Sequence, residues 1–483
     1  MKIALGLTLV VAGIYLLTAS GHLGGQDQEY YYRMARSLAR EHTFAIEPLK
    51  FNNTELAGRR GRDGRFYAEY APGLPLALSP LVIVGDAMRS SAAKFVSRYL
   101  WLHEGDGDVL PRIFVSYFDI GIVALTAGLL VLLATRLDYS FSAALFAGAA
   151  FALSTFAWGQ ARIINPEPLQ TLLIIAAVLL MLRRSTKRCF IGGCALGFAL
   201  LVKMTSVLVL PALFMLRDER DIPIWRDPVR ATAVLASVIC AFAIYAWYNY
   251  SRFGNFLTTG YNISGAAAVL GGNGLGNPAI GLYGLLFSTG RGIVWYAPPV
   301  LAGMMASVRF YRSKRSTARV FVVLLALWVG LHSFYKGWDS GWGWGPRYLL
   351  VVVPFLLIPI AEALKFRAGK LACIGLSVIG FFVQLPGALA DFMVSGHAGM
   401  ALFGQTAQDH TATGFVAWRN FQLAGSEIVR HSALVLHGQV DLAWLTFANT
   451  CLPMITFVAA ALFLASGAFT LISPRPVHHG NGQ

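Results

Sequence analysis

The residues of this chain best suited to chemistry are few and unevenly placed. The stretch 26-QDQEYYY-32 sets Asp27 and Glu29 just beyond an apolar run of membrane-spanning length, where a carboxylate can meet water without burial in hydrocarbon. Two positions apart on a helix, the acids face different sides, so one would take a proton and the other would pair or cap. An ordinary role is also open to Asp27, as the N-terminal cap of a helix over 27–40 with its charge favourable to the helix dipole. The chain continues through 59-RRGRDGRFYAEYAPGLP-75, which concentrates Arg59, Arg60, Arg62 and Arg65 beside Asp63 and Tyr67. Arginine forks suit phosphate oxygens, although these could equally pair with Glu55, Asp63 and Glu69 or meet anionic headgroups. Further on come Arg162 and Glu167 in 161-ARIINPEP-168, Lys203 inside an apolar run, and Asp339, Trp342 and Arg347 in 336-KGWDSGWGWGPR-347.

The elements that must hold these groups are membrane helices. Hydrophobic residues make up 56% of the chain and charged residues 13%, with a mean hydropathy of +0.59, far from a soluble globular mix. The net charge of +15 comes in short Lys/Arg tracts between apolar runs rather than as a groove-reading module, which excludes nucleic acid as the partner. Cys189, Cys194, Cys240, Cys373 and Cys451 lie mostly within apolar runs without ligand spacing, so neither a zinc site nor a disulfide framework is expected. Spans are predicted near 3–19, 111–134, 141–158, 167–182, 189–202, 204–216, 229–249, 292–310, 318–335, 347–364, 371–392 and 444–472, about twelve in all. Residues 1–19 are read as an uncleaved first span rather than a signal peptide. Lys203 is placed at the turn between two short spans, because a charge in mid-bilayer is costly.

The basic tracts at 183–188, 217–230, 309–319 and 365–370 assign one side as cytoplasmic, with both termini on that side. This parity requires the apolar run 73–85, with Pro75 and Pro80, to lie on or dip into the outer face. The outer segments are then 20–110, 159–168, 250–291, 336–347 and 393–443, and they hold nearly all the unusual polar residues. Asp119 is the one acid clearly within a span and reads as a locally satisfied core residue. The glycines of 271–281 follow no strand, which argues against a nucleotide loop. The three tyrosines at 30–32 read as interfacial anchors, and Trp338, Trp342 and Trp344 as a belt or a sugar surface.

The order of 26-QDQEYYY-32, 62-RDGRFYAEYAPGLPL-76, 162-RIINPEP-168, 192-GGCALGFALLVK-203, 248-YNYSRFGNFLTTGY-261, 284-GLLFSTGRGIVWYAPP-299 and 341-GWGWGPRYLL-350 resembles the polyprenyl-phosphate-sugar-dependent transferases of the GT-C fold. This is the superfamily of the protein O-mannosyltransferases and the lipid A aminoarabinose transferases. The resemblance implies an all-α polytopic bundle with juxtamembrane helices in the first outer loop, a catalytic module over 1–392, and an outer loop plus last helix over 393–483. No separate soluble domain is expected. It further implies Asp27 as catalytic base, with Glu29 in place of the adjacent second acid of the mannosyltransferases. Arg62, Arg65, Arg162, Lys203 and Arg347 are the candidates for donor phosphate, and Asp63, Tyr67, Glu167, Asp339 and Trp342 for sugar or acceptor. The implied partners are a polyprenyl-phosphate sugar, a glycan, lipid or protein acceptor, and membrane lipids. The implied place is the bacterial cytoplasmic membrane with the site on its outer face. No metal ligand set is spaced for the purpose, although the acids could hold a divalent cation. The alternative function is a transporter or flippase of a lipid-linked saccharide, which would place its polar groups near the midplane.

Overall fold

The computed structural model describes residues 1–51, 54–55, 57–88, 108–260, 274–403, 413–448 and 452–472. Helices dominate, since apolar runs in hydrocarbon must satisfy their backbone groups internally. Among the described residues, five helices are long and apolar enough to cross a membrane: Val109–Arg136, Pro228–Phe253, Arg315–Ser333, Arg367–Leu389 and Leu452–Ile472. Shorter apolar helices stand beside them, among them Lys2–Leu17 (α1), Phe141–Ser154 and Pro166–Met181. The first outer loop contributes Gln26–Glu41 (α2) and Gly73–Ala87 (α3).

The first and last helices pack antiparallel through small residues. A Cβ on Gly6 would come within 2.8 Å of Leu471, and one on Gly13 within 2.8 Å of Leu464. Residues 2 and 472 therefore share one end of the bundle, while Ala443 N donates to Ala19 O at 2.7 Å at the other.

The ends differ sharply in charge. At the end shared by residues 2 and 472, Arg136 reaches Glu219 at 2.8 Å, Arg230 reaches Asp218 at 2.9 Å, and Lys314 reaches Asp138 at 2.9 Å, gathering the basic tracts together. The helix Thr186–Val202 runs from this end to Lys203, whose extended backbone (φ −156°, ψ 121°) starts a reversal. The chain then returns through the 3₁₀ helix Met204–Val209 and the short helix Leu210–Phe214, so Lys203 stands at the opposite end as expected.

Both ends of α3 stay at that opposite end, which explains why this proline-containing run need not cross. Gly73 packs on the backbone of Leu201 and Val202, Gly85 packs on Pro111, and Asp86 bonds Arg40 of α2 at 2.7 Å.

Three features depart from the sequence reading. Two small antiparallel hairpins interrupt the all-α pattern: Lys50–Phe51 with Thr54–Glu55, and Gly58–Arg60 with Phe66–Ala68. The predicted span 347–364 is broken into Arg347–Val351, Val353–Leu357 and Ile360–Ala363, with Pro354 and Pro359 at the breaks. Finally, 393–443 is helical in the parts described, with Phe392–Ala401, Thr413–Phe421 and Glu427–Leu436. The segment 271–273 and Cys451 lie outside the described residues.

Candidate active site

Helix α2 starts at Gln26 from an extended Gly25, so Asp27 sits in the first turn rather than at the cap. Its Oδ1 accepts from the Tyr70 hydroxyl at 2.7 Å, and its Oδ2 lies 3.4 Å from Arg347 Nη2. The Asp27 side chain is 40% exposed, against 1% for Glu167, so part of its carboxylate stays open to solvent.

Arg347 Nη1 also donates to Asn165 Oδ1 at 2.9 Å, and its Nε is buried without a hydrogen-bond partner among the described residues. Asn165 is fixed in turn, because its backbone N–H donates to Asp119 Oδ2 at 3.1 Å. Asp119 is thus only half satisfied, since its Oδ1 is buried without a hydrogen-bond partner among the described residues, against the expectation of a locally satisfied acid. Next to this group, Lys203 Nζ donates to Glu167 Oε1 at 2.6 Å and stands 4.2 Å from the Tyr348 ring centroid.

Tyr70 is placed by the hairpin Gly58–Arg60/Phe66–Ala68, which docks on the end of Pro228–Phe253. Arg62 N donates to Arg252 O at 2.9 Å, Arg252 Nη1 to Ala68 O at 3.1 Å, and Tyr248 OH to Tyr70 O at 3.0 Å. The turn that closes this hairpin requires Gly64, at φ +77°. Glu69 precedes Tyr70. Burial pushes its carboxyl up to about 8, and the neighbouring Asp27 charge adds to the shift. Sequence reasoning treated Glu69 only as a pairing partner for arginine, and its apolar setting could not be read from the local string.

The structure thus brings Asp27, Lys203, Arg347 and Glu167 into one group and gives the other candidates different places. Glu29 lies on another side of α2, where Arg33 Nε donates to it at 2.8 Å and Arg112 engages both oxygens. Burial opposes its ionisation, but the bonds from Arg112 and Arg33 outweigh that and hold the carboxyl below its ordinary range. Arg162 is consumed by the carbonyls of Thr18 at 2.8 Å and Ala390 at 2.8 Å and by Asp441 Oδ2 at 2.9 Å.

Asp339 accepts from Arg419 and Asn420, and Trp342 stands edge-on to His397 with centroids 5.1 Å apart. Asp63 accepts from Tyr67 OH at 2.8 Å in the exposed hairpin turn, with Arg65 beside it, while the Arg62 guanidinium lies 5.3 Å from the Tyr250 ring. The tyrosines at 30–32 are not interfacial anchors. All three are buried within the protein, Tyr31 against Tyr70 at 4.6 Å and Tyr32 beneath Arg112.

Arg291 is a further residue that sequence reasoning did not single out. Its guanidinium donates to the carbonyls of Gly341 at 2.6 Å, Gly343, and Gly345 at 3.3 Å. These glycines take positive φ of 67°, 138° and 70°, so their carbonyls can converge on one cation immediately before Arg347. The alternating glycines of 341–345 were the available signal.

Comparison with known proteins agrees with this architecture. Residues 113–248 match the family model described as dolichyl-phosphate-mannose-protein mannosyltransferase. No curated protein matches the chain by sequence. Among solved structures, ArnT from Cupriavidus metallidurans bound to undecaprenyl phosphate is similar over 97% of this chain and 76% of that one, with a TM-score of 0.51 and 16% identity. The Archaeoglobus fulgidus oligosaccharyltransferase tethered with an acceptor peptide is similar over 87% of this chain and 59% of that one, with a TM-score of 0.51 and 13% identity. At such identities the likeness is one of fold. The chain is a polytopic membrane protein of the GT-C fold.

Proposed function

We propose that the chain is a membrane glycosyltransferase moving a hexosyl or pentosyl group from a polyprenyl-phosphate donor to an acceptor at the outer face of a bacterial cytoplasmic membrane. The observation that carries this reading is the partly exposed Asp27 carboxylate, 3.4 Å from Arg347 and grouped with Lys203, at the end of the bundle opposite the basic tracts. The positive-inside rule assigns the basic end, with both termini, to the cytoplasm and the site to the other side. The family-model match over 113–248 and the undecaprenyl phosphate bound to ArnT support the donor class.

In the reaction, Asp27 takes the proton from the acceptor O–H or N–H as that atom bonds to the anomeric carbon. The carbon–oxygen bond to phosphate breaks, and the polyprenyl phosphate leaves with the electron pair. Attack from the face opposite the phosphate inverts the anomeric centre through a transition state with oxocarbenium character. One base suffices, because the leaving phosphate needs charge stabilisation more than a proton. Arg347 supplies that charge with a planar fork, and Lys203 supplies a compact one. Glu167 keeps Lys203 aimed, and Asn165 does the same for Arg347. Arg62 and Arg65, on the exposed hairpin, are assigned to anionic headgroups at the rim rather than to the departing phosphate.

The test is release of polyprenyl phosphate from a labelled donor by purified protein in detergent. Turnover by the unmodified chain and its loss in Asp27→Asn, with donor still bound, is the expected result. Near-normal turnover by Asp27→Asn would move the base elsewhere. Absence of release from every polyprenyl-phosphate sugar tried, with donor bound, would favour a transporter.

A further inference from the structure

A second polar cluster lies beside the start of the first outer loop, where sequence reasoning singled out only Arg162. His22 follows α1, Asp391 precedes Phe392–Ala401, and Asp441 follows Glu427–Leu436. These positions are far apart in the chain, yet one nitrogen or oxygen from each lies within 4.8 Å of those of the other two. His22 Nε2 stands 2.8 Å from Asp441 Oδ1.

The remaining contacts leave coordinating capacity. Arg162 occupies Asp441 Oδ2 at 2.9 Å, so Oδ1 is the oxygen turned to His22. Asp391 Oδ1 accepts from Met393 N at 2.8 Å, which leaves its other oxygen for a ligand. With His22 neutral, as an imidazole must be to ligate a metal, one arginine stands against two carboxylates and the cluster carries an excess negative charge.

The three residues line a cavity of about 20 Å³, room for one ion or water and far too small for a sugar. His431 lines the same cavity at 1% exposure. Its Nε2 is 3.4 Å from Glu427, while its Nδ1 has no hydrogen-bond partner among the described residues. A buried imidazole nitrogen left over beside a His/Asp/Asp set is a second, independent sign that the cavity takes a ligand.

We propose that His22, Asp391 and Asp441 bind one divalent transition-metal ion that fastens the 391–441 segment to the start of the first outer loop. Mixed imidazole and carboxylate donors suit zinc-type ions better than magnesium, which prefers oxygens alone. Ligands ~2.1 Å from an ion lie ~3.0–3.4 Å apart, so on binding the His22–Asp441 pair, now at 2.8 Å, opens slightly, while the separations to Asp391, at most 4.8 Å, close by up to about 1.8 Å. Gln28 also lines the cavity, next in sequence to Asp27, so the ion would steady the first turn of α2 without touching the reacting group.

The experiment uses the full chain in detergent, stripped with a chelator and dialysed against Zn²⁺ in excess Mg²⁺, with metal content and thermal denaturation as readouts. One zinc per chain and a raised melting temperature are expected. His22→Gln and Asp391→Asn should each weaken binding by about tenfold or more and remove the thermal shift, whereas Asp27→Asn should keep both. Folding of each variant is checked by circular dichroism, and an unfolded variant is replaced by the other. No retained zinc in the unmodified chain, or as much zinc in His22→Gln and Asp391→Asn as in the unmodified chain, would overturn the proposal. So would loss of zinc in Asp27→Asn alone, which would relocate the ion to the transfer site.

Discussion

Two charge-rich groups flank the glycine tract 341–345, and they differ in what they leave unused. Around Arg291, every acid is spoken for: Asp339 accepts from Arg419 and Asn420, and Glu427 from Arg430 at 2.9 Å, while Arg291 itself is spent on glycine carbonyls. Around Arg347, the acids and bases also touch, but Asp27 is 40% exposed and its contact with Arg347 is a loose 3.4 Å. The first group is a scaffold, since both of its carboxylates are buried and held by arginines, while its spare atoms are buried donors such as Arg291 Nε and Arg419 Nε rather than an exposed acid. The second has residual capacity, which is what a substrate phosphate and an acceptor proton require. Charge density alone does not distinguish them. The same contrast recurs within α2, where Glu29 is locked between two arginines and Asp27, two residues earlier, is not.

Asp27 is where the two groups differ most. Asp27→Asn should lower single-turnover transfer by about 10³-fold, within the usual range for a general base, with the melting temperature little changed. A large loss of stability with modest loss of turnover would instead make Asp27 part of the scaffold. Arg291→Ala is the converse probe. Freeing the glycine carbonyls should let Arg347 drift and reduce transfer by about 10²-fold, with both KM and kcat affected, because ångström-scale misplacement is costly. Unaltered kinetics would uncouple the two groups.

Arg347→Ala should raise the apparent KM for the lipid donor by about 10- to 100-fold, the loss of one charged hydrogen-bonding group. Glu29→Gln should chiefly cost stability, by about 3–5 kcal/mol, since Arg33 and Arg112 would be left buried and unpaired, and thermal denaturation would show it.

The smallest effect concerns pH. The Glu69 carboxyl rises from an ordinary 4.5 to about 8 on folding, so the folded chain holds a proton that the unfolded chain has lost. Its contribution is fully present below pH 4.5 and is lost as pH rises through about 8. Glu69→Gln should therefore flatten the decline of melting temperature across that window. Parallel pH profiles for the two proteins would show that the site is wetter than its geometry implies.

Much of the bundle was legible in the chain. Apolar run length, proline positions and the sidedness of basic tracts led to the spans, to the reversal at Lys203 and to the non-crossing run at 73–85. Asp27, Lys203, Glu167 and Arg347 were legible as candidates because each stands at the mouth of an apolar run. The choice among candidates was not. Arg162 and Arg347 look alike in sequence, each at the edge of a short loop, yet one is saturated by backbone carbonyls and the other faces Asp27. The tyrosines at 30–32 carry the composition of an interface belt but are covered by the hairpin and α3, which local composition does not encode.

The sequence by itself determined a helical membrane bundle and the separation of its basic tracts from the end at which the other polar residues collect, because hydrocarbon imposes a cost on every exposed peptide group and every charge in the same way wherever they occur. Only the tertiary structure decided which charges are spent and which are spare. That depends on partners brought together from positions 27, 70, 165, 203 and 347, and hydrogen-bond satisfaction is a property of those meetings, not of any one segment.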